Sequence, residues 1–150
     1  MTFKQQLAKL SSKSRQRRWL YVPYDQLSGK IGPLAREEAG ELGIILIESE
    51  WWLRRRPYHR MKLALVLANM RHFALEQARR GVAVRYLQTK KEPGEALRQE
   101  LENIGATARV MEPAERELRV CLKPLVEKEM LEVIPHEGWL TTREQFRKSS

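Results

Sequence analysis

The sequence has a single cysteine, Cys121, in 150 residues. One thiol excludes an internal disulfide, a zinc cage of several thiolates and a four-cysteine iron–sulfur cluster. Long apolar runs are also missing. The longest, residues 43–47 and 63–68, fall far short of the roughly 20 residues that span a bilayer. No apolar stretch follows the basic residues near the start, so no secretory leader is read and a cytoplasmic location is expected. Phosphate-binding and nucleophile motifs are absent too: there is no G-x-G-x-x-G, no G-x-x-x-x-G-K-[ST] and no G-x-S-x-G. Gly29 and Gly32 form only a G-x-x-G, a weak signal.

Acidic residues are missing locally. Residues 1–18 carry six cations and no carboxylate, and residues 54–80 carry eight cations against Glu76 alone. Residues 19–53 lean acidic, and residues 81–150 hold twelve charges of each sign, so the net +9 resides in two blocks. Such blocks attract polyanions through phosphate contacts and counterion release, or they are simply solvated. No helix-turn-helix, zinc-finger or RNP pattern supports base-specific reading. Weak, non-specific DNA binding is the nucleic-acid expectation, with Arg54, Arg55 and Arg56 as its contacts.

What is present is a foldable alternation. With 42% hydrophobic and 31% charged residues, the chain can bury a core and fits one domain. Residues 1–16 read as a flexible basic arm with a short helix over 3–10, and residues 17–150 as the folded domain. Strands are predicted over residues 19–22, 44–47, 82–87, 106–111 and 130–134. Helices are predicted over 33–41, 58–80, 93–104, 113–129 (interrupted or kinked near Pro124) and 142–148. The 58–80 helix rests on Leu63, Leu67, Met70, Ala74 and Ala78 at three-to-four spacing, with Gly81 as its stop. Strands alternating with helices imply an α/β, Rossmann-like three-layer sandwich: a five-stranded, mostly parallel sheet with helices on both faces. Ligands of such sheets sit beyond the carboxyl ends of the strands.

At those ends no set of side chains supports catalysis by this chain alone. Cys121 reads as a buried structural thiol. His59 and His72 lack the i, i+4 partner of helical zinc sites, so no metal site is assigned, and His72 beside Phe73 reads as a packed histidine. Asp25 and Gln26 follow the first strand and Glu48 the second. Together with an apolar wall of Leu63 and Leu67 they could orient a flat, hydrogen-bonding heterocycle. The alternative is that Asp25 closes a turn and Glu48 pairs with an arginine. Trp51 and Trp52 stand next to the arginine run. They can stack on a ring or a base, act as a lid over the sheet, or face a partner, with Trp139 as a third member of such a patch.

Several motifs then fall in order. Asp25-Gln26-Leu27 after the first strand resembles the D-Q-L motif of the photolyase-related proteins, the prokaryotic iron–sulfur cryptochrome/(6-4) photolyase group. Ala68-Asn69-Met70-Arg71-His72-Phe73 is similar to that family's A-M-R-H-F signature. Glu112-Pro113 with Glu115 and Arg119 resembles its E-P-x-E-x-R segment, and residues 140–146 its F-L-x-x-R-x-x-F stretch. The resemblance implies an antenna-type α/β domain that can bind 6,7-dimethyl-8-ribityllumazine. Asp25 and Glu48 would hydrogen-bond the pigment, Gln26 would lie nearby and Leu63 would form part of the wall. In that family FAD and the iron–sulfur cluster belong to a helical domain, so neither is expected in these 150 residues. Any photorepair would require docking to a separately encoded flavin-binding chain. Two departures add bulk: Tyr24 replaces the glycine that precedes D-Q-L, and Trp52 replaces an acidic residue. The rival readings are a small basic nucleic-acid-binding accessory protein and a remnant of a truncated photolyase gene.

Overall fold

The computed structural model describes residues 1–10, 16–52, 60–138 and 147–149. In chain order the elements are α1 (Phe3–Leu10), β1 (Arg18–Tyr21), α2 (Pro33–Arg36), a 3₁₀ turn (Ala39–Glu41), β2 (Leu42–Ser49), α3 (Arg60–Arg79), β3 (Ala83–Thr89), α4 (Pro93–Ile104), β4 (Ala108–Met111), α5 (Arg116–Glu127) and β5 (Leu131–Ile134). The five strands form one sheet in the order β3-β2-β1-β4-β5, and every neighbouring pair is parallel. The expected Rossmann-like α/β sandwich is therefore present, with a wholly parallel sheet.

Strand alternation divides the core into two layers. Leu20, Leu42, Ile44 and Leu46 face α3 together with Met70, Phe73 and Ala74. Trp19, Tyr21, Ile45 and Ile47 face the opposite way, onto Leu97 and Leu101 of α4 and Leu118, Leu122 and Leu125 of α5. Each of the fully buried leucines and isoleucines stabilises the fold by roughly 1.5–3 kcal/mol through burial. Two glycines make the close packing possible. A Cβ on Gly43 would lie 2.6 Å from the Trp19 ring across the β1–β2 ladder, and one on Gly94 would lie 2.2 Å from the Cys121 carbonyl oxygen, between α4 and α5.

Several expectations are corrected. The helix predicted over 33–41 stops at Arg36, because Glu37 turns extended and is gripped by Arg109 and Arg18 at 2.7 Å each. The α5 helix runs through Pro124 without interruption. The proline ring opposes the carbonyl of Val120, which lies on the exposed side of the helix. The short helix read within the basic arm is present as α1. The stripe Phe3, Leu7 and Leu10 is half-buried, and α1 packs on α3 and against Tyr86. His72 is exposed on α3, while its neighbour Phe73 takes the core position. The helix predicted over 142–148 lies largely outside the described residues, as do His59, Trp139 and Arg54, Arg55 and Arg56. Among the described residues no helix is long and apolar enough to cross a membrane.

Candidate functional site

Two positions at the carboxyl ends of the strands bear on the expected site residues. The first lies between β1 and β4, where the connections change direction across the sheet. Such switch points are where doubly wound folds bind ligands. Here the chain leaving β1 fills the crevice itself. Gln26 is 3% exposed and its amide Nε2 donates to the Met111 carbonyl at 2.9 Å. The Tyr24 hydroxyl donates to Glu115 Oε1, just ahead of α5. Burial, followed by the field of Glu117, raises the Glu115 carboxyl above its ordinary range. Asp25 stays exposed, and its charge, second to burial, helps raise the Tyr21 phenol on the α4–α5 face.

The second crevice lies beyond β2 and β3. It is a cavity of about 490 Å³ lined by Glu48, Leu63, Leu67, Arg71 and Gln88, with Ser49 to Glu50 and Thr89 to Lys90 at its mouth. Alternation places Glu48 on the α3 face, the same side as Leu42, Ile44 and Leu46. The helix brings Leu63, Leu67 and Arg71 to meet it at four-residue steps. Arg71 grips the carboxylate in a two-pronged pair, Nε to Oε1 at 2.8 Å and Nη2 to Oε2 at 3.2 Å. The Tyr86 hydroxyl donates to Oε1 as well, and Gln88, the ladder partner of Glu48, donates to Oε2 at 3.2 Å.

These contacts set the electrostatics. Burial pushes the Glu48 carboxyl up, but the hydrogen bonds from Arg71, Tyr86 and Gln88 outweigh it and hold the group below its ordinary 4.5. Burial and the Glu48 hydrogen bond raise the Tyr86 phenol. The site is thus a fixed carboxylate in a cationic and phenolic clasp beside a leucine wall. It can bind and orient a guest. Among the described residues no group of three or more His, Cys, Asp or Glu side chains is placed to hold a metal ion.

The four ligand residues implied by the resemblance therefore separate. Glu48 and Leu63 share one cavity, Gln26 is committed to the end of β4, and Asp25 is not among the residues lining the cavity. The reason lies in the exit from β1: the chain turns at Pro23 and runs toward β4 rather than β2, as the Tyr24 and Gln26 bonds record. Glu48 also realises the arginine pairing that stood as the alternative. Trp51 and Trp52 are half-buried with rings edge to face at 4.8 Å, and Trp52 packs on the α4–α5 core, as a lid would. Sequence reasoning missed the roles of Arg71 and Tyr86. Arg71 was discoverable, since it continues the Leu63–Leu67 spacing on α3.

The family model for deoxyribodipyrimidine photo-lyase-related proteins matches residues 20–150. The chain belongs to that family. The matched span takes in all five strands, apart from the first two residues of β1, and both crevices of this photolyase-related chain. No curated protein sequence matches it closely enough to add to that finding.

Proposed function

We propose that this photolyase-related chain is a pigment-holding, antenna-type module without turnover of its own, and that its β2–β3 cavity takes a flat, hydrogen-bonding heterocycle of the lumazine class. The observation that carries the reading is the coincidence of volume and chemistry at Glu48. A cavity of about 490 Å³ lies within the range of small-ligand sites, which run to roughly 300–1,000 Å³. Its wall is apolar at Leu63 and Leu67, and its polar end offers a carboxylate and an amide. The fit of 6,7-dimethyl-8-ribityllumazine is favourable at that end. The Gln88 bond to Glu48 is long, at 3.2 Å, and Gln88 is exposed, so its amide can turn to a pteridine edge while Arg71 keeps the carboxylate in place. A pigment held there would absorb light and transfer excitation to a flavin in a separate docked chain. Such transfer needs proximity and no catalytic side chain.

Titration of the purified chain with 6,7-dimethyl-8-ribityllumazine, followed by the pigment's fluorescence anisotropy, tests the proposal. Saturable binding that Leu63→Trp abolishes is the expected result. Free rotation of the pigment at every protein concentration would overturn it.

A further inference from the structure

We propose that Phe3 of α1 is a positioning residue for the β2–β3 cavity: its ring holds Arg71 and Tyr86 in the arrangement that clasps Glu48, and so sets the affinity of the cavity for its guest. This role rests on the pigment-holding reading for the identity of the guest, and on geometry alone for the clasp. Two contacts converge on the ring. The Arg71 guanidinium lies over it, 5.6 Å from the centroid, and Tyr86 meets it edge to face at 4.7 Å. These are the same two side chains that grip Glu48, Arg71 through Nε at 2.8 Å and Nη2 at 3.2 Å, and Tyr86 through its hydroxyl. Phe3 is not among the residues lining the cavity, so it reaches the site through this pair.

The clasp needs such support because its arginine is open to water. The Arg71 side chain is 41% exposed, whereas Glu48 is 10% exposed. A long, exposed side chain gives up rotamer freedom to hold one geometry, which is why exposed ion pairs are weakly held. A guanidinium laid over an aromatic face gains the attraction of the ring quadrupole and a flat surface that limits its orientations. The edge contact does the same for Tyr86, whose hydroxyl shares Oε1 of Glu48 with Arg71 Nε. The ring is itself held. Thr2 and Gln5 close a reciprocal cap around the start of α1: the Gln5 backbone N–H donates to Thr2 Oγ1 at 3.2 Å, and the Thr2 backbone N–H to Gln5 Oε1 at 3.0 Å. One turn on, Leu7 packs on the α3 layer. A helix of eight residues is too short to persist alone, so cap and packing keep the ring in place. α1 also precedes the family-matched residues, whereas Glu48, Arg71, Tyr86 and Gln88 lie within them. The clasp thus belongs to the matched body, and its support comes from outside that span.

Two variants of the intact chain separate the work of the ring from the plain docking of α1. Phe3→Leu keeps an apolar anchor and removes the aromatic face; Phe3→Tyr keeps the face. The first readout needs no pigment. It is the Arg71 Nε–H signal in proton–nitrogen NMR spectra, identified by its loss in Arg71→Lys and sharp while the guanidinium is held on Glu48. The second is the affinity for 6,7-dimethyl-8-ribityllumazine, read by fluorescence anisotropy. Phe3→Leu should broaden the Arg71 signal and weaken binding about three- to tenfold. Phe3→Tyr should preserve both. An unchanged Arg71 signal in Phe3→Leu would overturn the proposal. So would unchanged affinity in a variant that has lost the signal, or equal losses from the two variants. If the unaltered chain failed to bind lumazine while its Arg71 signal still depended on the ring, the pigment reading alone would fall, and the dependence of the clasp on Phe3 would be established.

Discussion

The crevices after β1 and after β2 begin alike, each with polar side chains leaving a buried parallel strand, and they end differently. At the β1–β4 switch point the chain spends its polar groups on itself: Gln26 on the Met111 carbonyl and Tyr24 on Glu115. At β2–β3 the polar group is held by Arg71, Tyr86 and Gln88 in the wall of a cavity that stays open. The customary ligand position of a doubly wound fold is thus closed by side chains, and the neighbouring one is kept open by a clasp. Strand topology specifies where a site can be; the residues that follow the strands decide whether it exists.

The sharpest way to break this contrast is to unpick the closed crevice. Gln26→Ala removes a buried amide and leaves the Met111 carbonyl unpaired. Urea unfolding should show a loss of about 2–3 kcal/mol. Lumazine affinity at the open crevice should stay within about twofold of the unaltered chain, since unlinked sites are nearly additive. If Gln26→Ala abolished pigment binding while the fold survived, the assignment of the site to β2–β3 would fail.

The open crevice is probed by Glu48→Gln. The clasp then loses its charge, and stability at neutral pH should fall by about 1 kcal/mol. The acid response should change in parallel. Because Glu48 is held below its ordinary 4.5, as Glu37 is through its hydrogen bond with Arg109, the folded chain binds these protons more weakly than the unfolded chain does. Their contribution is complete above pH 4.5 and drains away as pH falls through the lower folded-state values. Glu48→Gln should flatten part of that loss in Tm measured from pH 6 to 3, values of roughly the carboxylate range. Glu37 should account for most of what remains.

Tyr24→Phe is expected to act more gently, by about 0.5–1 kcal/mol. Its sign with pH runs opposite to that of Glu48. The Glu115 carboxyl is raised by burial, so its protonated form favours the folded state, and that contribution is lost as pH rises through the raised value. The Tyr24→Phe penalty measured across this range shows whether the phenol helps to hold the charged form. Smallest of all is Asp25→Asn. Asp25 is exposed and outside the cavity, so stability should change by less than about 0.5 kcal/mol. Pigment affinity should not change. A large loss of affinity would restore Asp25 to the site.

Much of this architecture was legible in the sequence. The continuous apolar run of β2 announces a strand buried on both faces, and the Leu63–Leu67–Met70 spacing announces α3. The placement of Glu48 beside Leu63 follows from those two elements alone. What remained hidden depends on long-range pairing. Nothing local at Glu37 foretells that Arg109, seventy-two positions away, will pull it out of the helix. Nothing in Asp25-Gln26-Leu27 foretells a turn toward β4 rather than β2, because strand order emerges only when the sheet assembles. The docking of α1 is of the same kind: its Phe3–Leu7–Leu10 stripe is visible in the sequence, but its receptor on Tyr86 and Arg71 is not.

The wedge of Gly94 against the Cys121 carbonyl carries a practical consequence. Cys121, the chain's lone cysteine, is 8% exposed; its backbone carbonyl meets Gly94 of α4 and its thiol acts on the phenol of Tyr21 in the α4–α5 layer, while the α3 layer has no thiol at all. A maleimide or disulfide reagent therefore times the opening of one layer of the sandwich and is blind to the other. Comparing its rate with global denaturation would reveal whether the two layers part together or in sequence, with no engineered label required.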